Sequence, residues 1–142
     1  MFQLSENEQV YIIPANEKIA KNAEKTGRIA FGIIGEISTL NAENLTQLEK
    51  IIASAKQNRE NTLVLNFAYT NISISEMQKS GISALVVLAN QIPEIFTSLN
   101  IKIGVPFSIS GIEIFIATDL ENLQKSTPAK MALWNFMKPQ IG

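Results

Sequence analysis

The chain predicts an α/β fold, a mixed sheet of four to five strands with helices packed on it. Three observations carry the prediction. Residues 28–37 and 62–67 are apolar on both faces, as strands inside a sheet are. Between them Leu45, Leu48, Ile51, Ile52 and Ala55 recur at helical spacing, with Glu43, Gln47, Glu49 and Lys50 on the other side. Strand-like and helix-like segments then keep alternating to the C-terminus, the rhythm of strand–helix–strand units.

The elements follow in order. Residues 9–13 read as a first short strand, stopped by Pro14. Residues 15–26, rich in Ala, Glu, Lys and Asn, read as an exposed helix or a long loop before Gly27. The strand at 28–37 contains Gly32 and Gly35, which weaken pairing and suggest a bulge or a close backbone approach. Their spacing is not that of a dinucleotide-binding fingerprint. Ser38, Thr39 and Asn41 offer caps for an amphipathic helix running to about Asn58.

Residues 62–67 form the next strand, placed at the centre of the sheet because they are continuously apolar and lie between two helices. Residues 81–92 are expected to be a helix burying Ile82, Leu85, Val86 and Ala89, ended by Pro93. Strands follow at 101–105 and 111–117. Asp119 caps a helix over Leu120 and Leu123, and Pro128 begins a last helix with Met131, Leu133, Trp134, Phe136 and Met137 as its apolar content. Those C-terminal side chains read either as core or as a partner or homodimer surface.

Composition bounds the function. The 142 residues fit one domain, with a short extension from about 128, and 46% hydrophobic content is ample for a core. Twelve basic residues against 13 acidic ones imply neither a nucleic-acid face nor an acidic tail. The absence of Cys and His removes disulfides, thiolate nucleophiles, the commonest general base and the usual zinc ligands. Asp119 is the single Asp, and no nucleophile–base pairing is visible. No metal and no cofactor is expected, and recognition is expected in place of catalysis. With no signal-like start and no apolar run near the roughly 20 residues of a membrane helix, the expectation is a soluble cytoplasmic protein.

Three segments carry a resemblance. Residues 31–37, Phe-Gly-Ile-Ile-Gly-Glu-Ile, precede a capped helix; residues 63–67, Leu-Val-Leu-Asn-Phe, form a strand; residues 80–85, Ser-Gly-Ile-Ser-Ala-Leu, follow it. Together they resemble the STAS domain, the fold of bacterial anti-sigma factor antagonists. Residues 110–113 leading into 119–123 resemble its final strand and helix, and the likeness spans roughly residues 10–125. It implies a regulatory protein-interaction domain whose partner is an anti-sigma factor or kinase-like regulator, switched by phosphorylation of the serine matching Ser80. It also implies a helix beginning there. Asn66 stands where the family usually has Asp, and Gln78 and Lys79 where it has an Asp beside the serine. Residues 106–111 are too short for a crossover helix, which with its loops needs about 10–12 residues. That helix must shrink to a turn, or the flanking strands form a hairpin.

The candidate site is therefore Ser80, Ser75, Gly81, Lys79 and Asn66. Phosphate suits a helix N-terminus, where free N–H groups and the dipole favour negative charge. Ser73-x-x-Glu76 and Ser75-x-x-Gln78 both satisfy the capping-box pattern, so Ser75 competes with Ser80 for that end. Gly81 within a helix costs about 1 kcal/mol against Ala, which favours a helix starting near Ser80. Lys79 is placed to neutralise an anion, and Asn66 to hydrogen-bond the loop that starts the helix. The rival reading is a small-ligand or lipid-binding domain on the same fold, using the aliphatic residues Ile82, Leu85, Val86 and Leu88.

Overall fold

The computed structural model describes residues 28–69 and 72–141. The strand expected at 9–13 and the segment 15–26 lie outside the described residues. The fold is α/β, with a five-stranded mixed sheet in the order β2-β1-β3-β5-β4. The strands are β1 (Ile29–Ile33), β2 (Val64–Asn66), β3 (Ala84–Leu88), β4 (Phe107–Ile109) and β5 (Ile112–Ala117). β2, β1, β3 and β5 run parallel, and β4 returns antiparallel to β5. The helices are α1 (Ala42–Ser54), α2 (Ile74–Lys79), α3 (Leu120–Lys125) and α4 (Thr127–Ile141).

Side-chain alternation sorts the core into two layers. On one face Ile29, Phe31, Ile33, Val86, Leu88 and Phe115 meet Leu48, Ile51 and Ile52 of α1, Leu120 and Leu123 of α3, and Leu133, Phe136 and Met137 of α4. The rings of Phe115 and Phe136 stack at 5.2 Å. On the other face Leu63, Leu65, Phe67, Leu85, Val87, Ile114 and Ile116 meet Met77 of α2, Ile82 and Phe96. Phe96 lies between Phe67 at 5.7 Å and Phe107 at 5.5 Å, ring to ring. So α4 contributes one side to the core and leaves Met131 and Trp134 outside.

At Gly32 the close neighbour is a side chain, the ring of Phe67, and not the bulge or backbone approach expected. A Cβ there would sit inside the contact radius of Phe67 Cδ2 and Cε2, and Phe67 is itself buried. Gly35 has φ 117°, a turn conformation rather than a strand one.

Several sequence expectations are corrected. Residues 81–92 are not helical: β3 occupies Ala84–Leu88, all five residues are buried, and it pairs with β1 on one side and β5 on the other. This short apolar run with adjacent Val86 and Val87 gains two ladders of main-chain hydrogen bonds and buries both faces, which a helix would not do. It, not 62–67, is the middle strand. Among the described residues β2 pairs only with β1 and lies at the sheet edge. Residues 101–105 form no strand; β4 lies at Phe107–Ile109 and forms a hairpin with β5. Its turn places Ser110 at φ 52° and Gly111 at φ 83°. The first helix stops at Ser54 rather than near Asn58, with Lys56 at φ 61° just beyond it.

Candidate functional site

In an open α/β sheet, ligands bind outside the carboxyl ends of the strands, where neighbouring strands send their connections in opposite directions. Here β1 and β3 are those neighbours. β1 leads through α1 to β2 on one side, and β3 leads towards the β4–β5 hairpin on the other. An open crevice of about 360 Å³ lies at that point. Its apolar wall comes from Ile33 and Ile34 at the end of β1, Leu88 and Ala89 at the end of β3, Leu40 before α1 and Leu120 in α3. Its polar groups are Asn44, Asn90, Gln91, Asp119 and Glu121, with no Lys or Arg among the described lining residues.

Local structure fixes several of these groups. Asn41 caps α1, accepting from the Asn44 N–H at 2.7 Å. Asn44 Oδ1 in turn accepts from Gln124 Nε2 at 3.1 Å, which ties α1 to α3 across the crevice. Asp119 caps α3, and its Oδ1 accepts from Asn122 N–H at 3.4 Å, Asn122 Nδ2 at 2.6 Å and Thr118 Oγ1 at 3.2 Å. All three bonds use one oxygen, so among the described residues Asp119 Oδ2 keeps its acceptor capacity. Glu121 pairs with Lys125 at 3.5 Å in an exposed i,i+4 bridge, worth less than about 1 kcal/mol. The crevice therefore combines an aliphatic floor with amide groups that both donate and accept, and with two carboxylates.

Beside it, Asn66 closes β2. Its Oδ1 accepts from the N–H groups of Gly35 and Ala68, each at 2.9 Å. Its Nδ2 donates to Glu36 Oε2 at 2.8 Å, and Tyr69 OH donates to the same oxygen at 3.3 Å. Asn66 thus staples the loop after β1 to the loop that leads from β2 into α2, which is the loop it was expected to hydrogen-bond. An Asp in its place would set a carboxylate against Glu36.

The remaining candidate residues surround α2. Ser73 is its N-cap, accepting from the Glu76 N–H at 3.2 Å. Ser75 is exposed in the first turn, with its Oγ 3.2 Å from Ser73 Oγ. Lys79 is exposed and ends the helix. Ser80 and Gly81 terminate the helix and do not begin one, which corrects the sequence reading. The Gly81 N–H donates to Gln78 O and the Ile82 N–H to Met77 O, each at 3.2 Å. With Gly81 at φ 92°, this is the Schellman closure of a helix C-terminus. The Ser80 hydroxyl is half-buried and donates to Glu76 O at 3.0 Å. It lies at the negative end of the helix dipole, the wrong end for phosphate.

The crevice was not legible in the sequence because residues 84–88 read as a helix. As a strand they make Asn90, Gln91 and Asp119 carboxyl-end residues of parallel strands, which is the signal that points there. Among the described residues no helix is long and apolar enough to cross a membrane. Nor does any group of three acidic side chains among them form a metal site. No protein-family model matches the chain, and no curated protein matches it.

Proposed function

We propose that this chain is a recognition domain, acting by binding and not by catalysis, and that its ligand is a small polar molecule seated in the crevice between β1 and β3. The observation that carries the reading is the position of the crevice at the switch point of the parallel sheet. Its lining selects the chemistry. Two carboxylates, with no Lys or Arg among the described lining residues, favour hydroxyl- or amine-bearing ligands and disfavour phosphates and carboxylates. The lipid version of the rival reading is weakened, because Ile82, Leu85 and Val86 are buried in the core and Leu88 alone of its four aliphatic residues lines the crevice. The test is amide chemical-shift mapping with putrescine, glucose, adenosine and inorganic phosphate as probes. Shifts confined to Ile34, Asn90, Gln91 and Glu121 with the first three, abolished in Asn90→Trp, support the site. No shifts there, or phosphate acting most strongly, refutes it.

A second reading keeps the regulatory interaction domain that the anti-sigma factor antagonist resemblance implies, with a protein partner docking on residues 73–83. One observation reshapes it: Ser75 is exposed while the Ser80 hydroxyl is tied to the backbone. The modifiable serine on this reading is Ser75, where a phosphate adds about −1.5 to −2 charge. Ser75→Asp should then weaken partner binding more than Ser80→Asp does. Equal effects would remove the reason for preferring Ser75.

A further inference from the structure

We infer that the outer face of α4 is a docking surface for an acidic, amphipathic helix of a partner protein. Leu133, Phe136 and Met137 point into the core. On the opposite side Met131 is 59% exposed and Trp134 is 42% exposed, large apolar side chains left in water. Lys130, Trp134 and Lys138 stand at i, i+4 and i+8 and form one exposed ridge, with Met131 beside Trp134. Ridges of this spacing pack into the grooves of a second helix. Trp and Met are the residue types enriched at the centre of protein interfaces.

Charge selects the occupant. The segment Thr127–Ile141 contains no Asp or Glu, although the whole chain has a formal net charge of −1. Its two ammonium groups bracket the Trp and lie about 12 Å apart along the axis, from eight residues at about 1.5 Å each. A helix with aliphatic side chains in the middle and carboxylates about eight residues apart would match apolar to apolar and opposite charge to opposite charge. A second copy of this chain matches poorly, because antiparallel pairing of two α4 ridges sets lysine against lysine. A lipid surface also matches poorly, because only two large apolar side chains are offered and Leu133, Phe136 and Met137 are already buried.

Trp134 is the only Trp in the chain, so its emission reports the surface directly. The test titrates the full chain with a 15-residue helical peptide bearing Leu on one face and two Glu eight residues apart. A control peptide carries Lys for Glu. Saturable blue shift of Trp134 with the acidic peptide alone is expected, weakening at least tenfold in Lys130→Glu/Lys138→Glu. That variant should keep the wild-type unfolding curve, which separates lost docking from lost fold. The inference is overturned by no shift with the acidic peptide at millimolar concentration or by equal response to both peptides. It is equally overturned if phosphatidylglycerol vesicles shift Trp134 and the peptide does not. Concentration-dependent burial of Trp134 with a dimer in sedimentation would assign the face to a second copy instead.

Discussion

Gln57→Met should cost this domain about 2–4 kcal/mol without adding or removing appreciable volume. The reason is an amide standing in for a missing stretch of strand. β1 begins at Ile29, but β2 begins at Val64, opposite Phe31. Phe31 N–H donates to Leu63 O, so the main-chain groups of Ile29, two residues earlier, face the same side, with no strand beside them among the described residues. The side chain of Gln57 fills that place. Its Oε1 accepts from Ile29 N–H at 3.0 Å, and its Nε2 donates to Ile29 O at 3.0 Å and to Thr62 Oγ1 at 2.8 Å. Gln57 is 7% exposed, Ile29 1% and Thr62 2%, so water does not replace it. Methionine leaves a buried donor and a buried acceptor unsatisfied, at about 1–3 kcal/mol each, offset in part because the amide itself is no longer desolvated. Against a total stability of about 5–15 kcal/mol this is a large fraction. Urea unfolding followed by Trp134 emission measures it, and amide exchange at Ile29 should quicken. Thr62→Val alone should cost about 1 kcal/mol, and the two changes together should be sub-additive because they share a bond. A Gln57→Met midpoint within about 0.5 kcal/mol of wild type, with an unchanged denaturant slope, would refute the argument.

Gly32→Ala should destabilise by about 1–3 kcal/mol through overpacking against Phe67, and Phe67→Leu in the same chain should recover part of the loss, as read by a double-mutant cycle in urea. Gly81→Ala forces a Cβ into a left-handed conformation and should cost about 1–2 kcal/mol, whereas Lys56→Gly relieves the same conformation after α1 and should raise the midpoint by about 1 kcal/mol. Asn66→Asp, although it restores the residue usual in the resembling family, should lower stability by about 1–3 kcal/mol at pH 7 because the donor to Glu36 Oε2 becomes an acceptor. That loss should shrink in acid, where a proton shared by the two carboxylates restores a donor, and a pH series of melting temperatures checks it.

The positions that misled are informative. Ser80-Gly81 followed by Ile82, Ser83 and then six apolar residues is compatible with a helix beginning at Gly81 and with a helix ending there before a strand. Glycine takes a positive φ at a C-terminus and tolerates a helix interior at modest cost, so the dipeptide does not decide. The run 84–89 lacks the length of a helix and carries adjacent Val residues, and those two signals would have identified the strand. The shortness of 106–111 allows either a reduced helix or a hairpin, and the structure takes the hairpin, with its first strand at Phe107–Ile109 rather than at 101–105. Asn66, Ser75 and Lys79 are where a reader of the sequence would place polar, accessible groups, yet their partners were not legible. Asn66 bonds Gly35 and Glu36, about thirty residues away in the chain.

By itself the sequence determined the α/β class, the cap at Asp119, a choice of three caps that included Asn41, the inward face of the first helix and the exclusion of thiol and imidazole chemistry. These depend on residue type and on spacing within a turn or a strand, which the chain displays directly. Tertiary structure alone decided that residues 84–88 are the middle strand, that Gln57 completes the start of β1, and that β1 and β3 part company above a polar-walled crevice. Each of those depends on which segments become neighbours. Strand order is settled by burying two faces at once and pairing the main-chain groups between strands, and both are sums over the whole sheet that local sequence does not contain.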